Sequence, residues 1–591
     1  MRYGTEEQKT KHLAAIAAGD VIWCQGFSEP EAGTDLVSLR TRAVADGDGW
    51  RITGQKVWTS YALMASWCVL AACTDPDAPK HKRLTLFLIP MDRPGFTVRP
   101  IPSMLGPHHL NEMFLDDVPA YPGDVLGEVG DGWRVMREAL AYERVGIARY
   151  ARCESLLERM RGRLGDEWEQ LPESIRARWV RALVDLRVAR LLAYRAVSLQ
   201  DDPASGAAAS AARIATTTCD QQVAELLFDV LGPTALDAGS GARCTGHRRS
   251  LALRTGSHRR IGHHRGAEDV GGPRRTGRAP VKTDLPQDIS DFATVAAKRF
   301  TRLGGPPAAL RAETDDTVRE AARTALAEVG AFDLDVRTAP DDLLAAAVLC
   351  QAAGAAALPY PLVEELLAID GARLTLVNPA APRIDHGDLA GDWIAADIDG
   401  NRYRPRPGSR TGAKLGPFLV PATLSAPEGT VPGADVNLHL VLGAWRILGA
   451  VQQSLRIVTD HVQARIQFGK PLADFQAVRF AVADAAVMVR GLHELAKYTI
   501  CRPESLPAQV HSADALVLRL KAADTARQVM RTSHQLLGAL GFCDESDVSV
   551  LDRHTQPLIR LPLSTEELAL RLIPSVADGA FETLFSEPVS A

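Results

Sequence analysis

Apolar and polar positions change period several times along the chain, and each change marks a segment. Residues 5–19 repeat with helical spacing, with Thr5 and Glu6 suited to a helix start and Gly19 to a stop. One amphipathic helix is predicted there. No upstream segment covers its apolar side, so the chain is expected to lack a helical part ahead of it. From Val21 to about Pro122 short β-rich runs take over: Val21–Phe27, Trp50–Thr53, Lys56–Ser60, Trp67–Cys73, Leu84–Pro90 and Phe96–Ile101. Asp/Gly and Asp/Pro turns at 46–49, 75–77 and 92–95 separate them. These runs predict an antiparallel β-domain.

Helical periodicity follows over Trp133–Met160, Ile175–Leu199 and Ala204–Val230, ending near Gly232, as in the long helices of a bundle. The segment 241–280 departs from this, with ten Arg and four His against Glu268 and Asp269. It reads as a basic linker, as a nucleic-acid-binding arm, or as sequence translated out of frame. Possible codons for Ser257–Gly266, read one base later, give a Gly-Thr-Thr-Glu run. Order returns at Val281. Helices are predicted over Ile289–Phe300, Thr317–Val329 and Asp341–Ala368, then a weakly β-like stretch from Leu374 to Pro432. Further helices are predicted over Asn437–Ala464, Phe475–Cys501, Gln509–Gly538 and Glu566–Leu572.

The order helices, β, helices restates the plan of the first half, a coarse internal duplication. The expected fold class is α+β. Its parts are a β-domain with a leading helix (1–122), a helical bundle (123–240), the basic segment (241–280), a second helical domain (281–372), a degenerate β-domain (373–436) and a second bundle (437–591).

Composition narrows the function classes. Apolar residues make up 46% and charged residues 24% of 591, the mix of a globular protein, and a net charge of −5 gives no general case for a nucleic-acid partner. No apolar run reaches the length of a membrane span. Nine cysteines lie scattered without a CxxC pair, which argues against a disulfide framework or zinc knuckle and suits a reducing cytoplasm.

Two stretches of the β-domain could carry chemistry. Ser28-Glu29-Pro30-Glu31-Ala32-Gly33-Thr34-Asp35 is a Pro/Gly turn after a strand, able to bring backbone amides close to a carbonyl-rich or phosphorylated ligand. Gly54-Gln55-Lys56-Val57-Trp58-Thr59-Ser60 offers an aromatic face beside two hydroxyls. Each alone is more often a simple hairpin. No GxGxxG and no P-loop occurs, which disfavours a Rossmann or Walker nucleotide site.

Together these stretches resemble the acyl-CoA dehydrogenase family. The first is similar to its (S/T)EPxAGSD signature and the second to its flavin strand, and Gly4-Thr5-Glu6-Glu7-Gln8-Lys9 resembles the helix that precedes its β-domain. The resemblance implies FAD between the β-domain and the bundle, with Phe27, Ser28, Trp58, Thr59 and Ser60 lining the flavin ring. Gly33 and Thr34 would approach the cofactor and the CoA pyrophosphate. Leu140-Ala141-Tyr142-Glu143-Arg144 is similar to the arrangement in which a Glu opening the bundle is the catalytic base, so Glu143 is the candidate. Relatives that place the base in a YEGT-type motif would carry it within 241–280, where the out-of-frame run resembles that motif.

The rear half differs. Arg465-Ile466-Gln467-Phe468-Gly469-Lys470-Pro471-Leu472 with Gln476 matches the family's R-x-x-F-G-K…Q pattern, and Gln535–Phe542 resembles its Q-x-L-G-G-x-G-F pattern. Without context, the first is a helix C-cap. The resemblance implies that Arg465, Gln467, Phe468, Gln476, Gln535 and Gly538 reach the FAD pyrophosphate and adenosine across a subunit interface. A guanidinium fork suits the phosphate. The family's spacing puts His439 where Glu143 stands in the front half, and the rear β-domain lacks both flavin signatures.

This division resembles actinobacterial heteromeric dehydrogenases of steroid side-chain CoA thioesters, here with both subunits in one chain. The implied activity is FAD-dependent α,β-dehydrogenation of an acyl-CoA to the trans-2-enoyl-CoA. Electrons would pass to an electron-transfer flavoprotein, and the assembly would be a homo-oligomer or pseudo-heterotetramer. An acyl-CoA oxidase on the same fold and a non-catalytic, misassembled fusion product are the alternatives.

Overall fold

A computed structural model describes residues 2–33, 35–103, 106–143, 145–199, 202, 204–232, 284–501 and 510–577; for 103, 106–109, 141–143, 148 and 577 it describes the backbone alone. The basic segment 241–280 lies outside the described residues. The chain divides into two compact units. The first is Met1–Met160 with Leu199–Arg213 and Asp220–Arg278, and the second is Arg161–Ser198 with Ile214–Cys219 and Ala279–Ala591.

The first unit opens with α1 (Glu6–Ala18), started by a capping box and stopped at Gly19 in the left-handed region. The Thr5 hydroxyl accepts from Gln8 N at 3.2 Å while Gln8 Oε1 accepts from Thr5 N at 3.1 Å. The buried residues of the helix are Gln8 and His12, and Ile16 is 45% exposed. Gln8 Nε2 donates to the Gly123 and Val125 carbonyls at 2.9 Å, and His12 packs edge-on against Trp23 and Trp67. Polar and aromatic contacts therefore anchor the helix.

Eight described strands form one sheet: β1 (Trp23–Gly26), β2 (Arg42–Asp46), β3 (Gly49–Ser60), β4 (Trp67–Cys73), β5 (Leu84–Pro90), β6 (Phe96–Ser103), β7 (Gly106–Ala120) and β8 (Val125–Leu126). The order is β6-β7-β3-β2-β4-β5-β8, with β1 paired to β4. Most pairs are antiparallel, but β1 and β2 both run parallel to β4, with Cys24 opposite Cys68 and Arg42 opposite Cys73. The predicted runs at 50–53 and 56–60 are one strand, β3. Strand β7 was not anticipated, because the fully buried Asn111 interrupts its apolar alternation. One face of the sheet encloses Cys24, Ile52, Leu70, Phe87, Ile89, Met113 and Val118. The other buries Phe27, Leu84 and Leu86 against Val135 and Met136 of α2 (Gly132–Glu143).

The single helix predicted over Trp133–Met160 is two. Gly146, at φ 77°, separates α2 from α3 (Ile147–Leu164), because a left-handed residue cannot continue the ladder. Asp220 on α5 (Ser205–Leu231) is buried and receives Arg149 Nη1 at 3.3 Å, Cys153 Sγ at 3.4 Å and Arg152.

The predicted bundle 123–240 is shared out: α4 (Glu173–Ser198) packs within the second unit. Its Arg181 pairs with Asp524 at 3.2 Å and Glu566 at 2.7 Å, and its Asp185 with Lys521 at 2.7 Å. The second unit then holds α6 (Gln287–Thr301), α7 (Gly305–Ala312), α8 (Thr317–Glu328), α9 (Pro340–Ala355) and α10 (Leu362–Leu366). Asp341–Ala368, predicted as one helix, breaks where Ala357 takes φ 48° and Pro361 follows.

Two three-stranded sheets come next, built from β9 (Arg373–Leu376), β10 (Arg383–Asp385), β11 (Trp393–Ala396), β12 (Arg402–Tyr403), β13 (Pro405–Pro407) and β14 (Leu419–Leu424). The rear bundle is α11 (Gly433–Ala464), α12 (Gln476–Ile500), α13 (Ser512–Leu537), α14 (Asp547–Arg560), α15 (Thr565–Arg571) and α16 (Ile573–Ala577). A hairpin of β15 (Ile466–Gln467) and β16 (Lys470–Pro471) joins α11 to α12. Helix α14 escaped prediction because Pro557 stands inside it. Helices α9 and α11 touch through backbone: a Cβ on Gly354 would lie 1.9 Å from Arg446 O, and one on Gly449 1.8 Å from Gln351 O. Only glycine allows that approach.

Candidate functional site

In the first unit the two motif stretches are one construction. Strand β1 delivers Phe27, buried, into a turn closed by Glu29 N to Ala32 O at 3.0 Å and Ala32 N to Glu29 O at 3.2 Å. The Glu29 side chain is 7% exposed and accepts from Arg40 N at 2.5 Å, Thr41 N at 2.9 Å and Lys56 Nζ at 2.8 Å. Lys56, on β3, has no exposed side-chain surface and donates a second bond to Phe27 O at 3.2 Å. Val57 N adds a bond to Ser28 O at 2.9 Å. Buried charges persist only when paired, and this pair fastens the turn to the strand. Burial alone would raise the Glu29 carboxyl. The Lys56 ammonium and the donors from Thr41 and Arg40 outweigh it and hold Glu29 below the usual carboxylate range.

Just beyond Lys56 the strand bulges. Lys56 faces Met113 and Thr59 faces Asn111, so Val57 and Trp58 stand against the single residue Glu112. The bulge puts Trp58 at φ 64° and leaves it 50% exposed, while Thr59 and Ser60 turn inward. A bulky residue in that region is strained, and such strain gathers at ligand sites. Asn111 Nδ2 donates to Thr59 O at 3.0 Å. The buried Ser60 hydroxyl has no hydrogen-bond partner among the described residues. Gly33 is exposed, with nothing within 4 Å of a Cβ built on it; Thr34 lies outside the described residues. Of the predicted ring-lining set, the structure brings together Phe27, Ser28, Trp58, Thr59 and Ser60. The Glu29–Lys56 pair was missed as a functional feature, although both residues stand inside the quoted motifs.

Glu143 is the last residue of α2, and its backbone alone is described. In the second unit Arg465 caps the C-terminus of α11 and is exposed. Among the described residues its guanidinium makes no ion pair. Phe468 at φ 54° and Gly469 at φ 79° form the tight turn of the following hairpin, leaving Phe468 91% exposed. Gln467 is exposed, its amide donating to Ile466 O at 2.7 Å. Gln476 begins α12, Gln535 lies near the end of α13, and Gly538, at φ 62°, ends that helix; all three are exposed. These ends meet over one apolar plug of Val458, Val462, Leu537 and Val548, with Leu472, Val478 and Leu536 packed on it. The plug places Arg465, Gln476 and Gln535 at a single end of the bundle.

His439 shows how the halves differ. It stands in α11 with Nε2 3.6 Å from Glu364 Oε1 on α10. Burial alone would raise the fully enclosed Glu364, but His439 and Arg446 hold it below the usual range. This position thus faces a buried carboxylate from within the second unit. The eight described cysteines form no disulfide, and no described helix is long and apolar enough to cross a membrane.

The family model described as "Acyl-CoA dehydrogenase, middle domain" matches residues 24–118. The one described as "Acyl-CoA dehydrogenase, C-terminal domain" matches twice, at 130–257 and 439–560, which is the duplication read from the sequence. The chain is 42% identical over 236 residues to acyl-CoA dehydrogenase FadE34 of Mycobacterium tuberculosis, covering 39% of this chain and 32% of that protein. It is 34% identical over 257 residues to acyl-CoA dehydrogenase IpdE1 of Mycolicibacterium smegmatis, covering 41% and 64%. The chain therefore spans less than two thirds of the length of either relative. Among solved structures, the Tcur3481-Tcur3483 steroid ACAD aligns at 35% identity and TM-score 0.40, over 44% of this chain and 67% of that one.

Proposed function

The chain belongs to the acyl-CoA dehydrogenase family, and from that premise we propose that it removes hydrogen from the α and β carbons of an acyl-CoA thioester, giving the trans-2-enoyl-CoA. The observation that carries the reading is the bulge at Trp58, an aromatic side chain held out on strained backbone beside a turn locked by a buried ion pair. The residues fit FAD. The partnerless Ser60 hydroxyl, the half-exposed Trp58 and the open Gly33 would receive the ring end, and the exposed Arg465 guanidinium suits a pyrophosphate. FAD, when bound, supplies the acceptor for the hydride that leaves the β-carbon.

The protein supplies position and a base. An α-proton of a thioester is weakly acidic and needs a positioned carboxylate to take it. In this reading Glu143 takes it, and the Ser28–Thr34 turn and Trp58 shape the adjoining pocket. Gln467, Phe468, Gln476, Gln535 and Gly538 would hold the adenosine end, serving a second copy of the chain in an oligomer. A bulky steroid side-chain thioester is the proposed substrate class, and an electron-transfer flavoprotein the proposed acceptor protein. The test is Glu143→Gln. The variant should keep its yellow flavin yet lose nearly all enoyl-CoA formation with an artificial electron acceptor. Turnover equal to the parent's would move the base to another residue.

A further inference from the structure

The ring of His534, near the end of α13, faces two acceptors. Nδ1 lies 2.6 Å from the Gly541 carbonyl oxygen and Nε2 3.1 Å from Asp552 Oδ2. A carbonyl and a carboxylate cannot donate, so both ring nitrogens must carry protons for both bonds to form. The geometry asks for an imidazolium. The Asp552 carboxylate is aimed at the ring, since its other oxygen accepts from Gln556 Nε2 at 2.7 Å.

What the ring holds is the reversal after α13. Gly538 turns the chain at φ 62°, and Gly541 comes so close to the helix end that a Cβ there would lie 2.8 Å from His534 O. Phe542 stacks on the imidazole with centroids 6.1 Å apart and an interplanar angle of 26°. One side chain thus ties the helix end, the turn and α14 together. We propose that the imidazolium of His534 is the positioning group that shapes the Gln535–Phe542 turn for the adenosine end of FAD, so that the grip loosens when His534 loses its proton. The proposal rests on the adenosine-grip reading above.

Asp552 on α14 is the charged group whose field bears on the ring. Asp547, on the same helix, feels Arg456 of α11. In the turn, Cys543 Sγ donates to Ala539 O at 3.6 Å, and Asp544 pairs with Lys414. Arg531, one turn back on α13, is exposed. The Asp552 hydrogen bond, working against burial and helped by the Gly541 carbonyl, holds His534 above the usual imidazole value. A folded pKa above the unfolded one gives stabilisation that is complete below the unfolded value and is lost as pH rises through the folded value.

The test uses the full chain loaded with FAD, from about pH 6 to about pH 9, the range that brackets a raised imidazole. Two quantities are read: amide exchange protection over 538–543, corrected for intrinsic rates, and the FAD dissociation rate. In the parent, protection should fall and dissociation accelerate by about tenfold, as expected for loss of one charge-assisted hydrogen bond. His534→Gln should flatten both profiles, and Asp552→Asn should move the midpoint to lower pH. Equal pH dependence of protection in parent and His534→Gln overturns the proposal. Protection that follows His534 while FAD dissociation does not also overturns it, and puts the fault in the adenosine-grip reading.

Discussion

Lys56 Nζ sits 2.8 Å from Glu29 Oε1 with both side chains out of water, so the two sequence signatures of the β-domain are joined by one ion pair. Glu29 fixes the turn through the amides of Arg40 and Thr41, and Lys56 fixes the start of the bulge that presents Trp58. The turn and the bulge hold their relative places through that bond.

Breaking it from one side should therefore be costly. Lys56→Met leaves a buried carboxylate and should lower stability by about 3–5 kcal/mol in denaturant unfolding. Glu29→Gln leaves a buried ammonium, whose pKa burial already pushes down. That variant binds fewer protons folded than unfolded, so its stability should rise with pH. In the parent, stability should also fall in acid as Glu29, whose folded pKa is depressed, takes up a proton. The double variant should recover much of the loss, and a double variant no better than either single one would remove the pairing argument.

Strain at Trp58 separates backbone from side-chain effects. Trp58→Gly and Trp58→Ala both delete the indole, but only glycine accepts φ 64° without penalty. The glycine variant should be the more stable by about 1 kcal/mol, the reverse of the order in an ordinary strand. Thermal unfolding gives the comparison. Both variants should take up less FAD than the parent, and undiminished uptake would take Trp58 out of the ring pocket.

Arg465 is exposed and caps a helix through its backbone, so Arg465→Ala should change stability by no more than about 0.5 kcal/mol. FAD dissociation, followed by fluorescence, should quicken by about tenfold or more, the worth of a charge-assisted contact to phosphate. Equal dissociation from both chains would detach Arg465 from the cofactor.

Much of this was legible in the chain. Thr5 and Gly19 bounded α1, and Trp67–Cys73 and Leu84–Pro90 were strands to the residue, because caps and uninterrupted β-rich runs are local signals. What escaped depends on contacts distant in sequence. Asn111 belongs in a strand because it reaches the Thr59 carbonyl, and Pro557 is tolerated within α14. The motifs pointed to Phe27, Ser28, Trp58, Thr59 and Ser60, which the fold brings together. They did not reveal that Glu29 and Lys56 hold those residues in place, since pairing across 27 positions leaves no periodic trace.

In the proposed function each chain contributes one ring-end site and one adenosine-end site, the latter serving the flavin of a second copy. The most direct measurement is the amount of FAD released per chain when the purified full-length protein is denatured. One FAD per chain is the expected result. Two per chain would mean that each half holds its own flavin, and none would mean that the two half-sites do not make a flavin site; either result contradicts it.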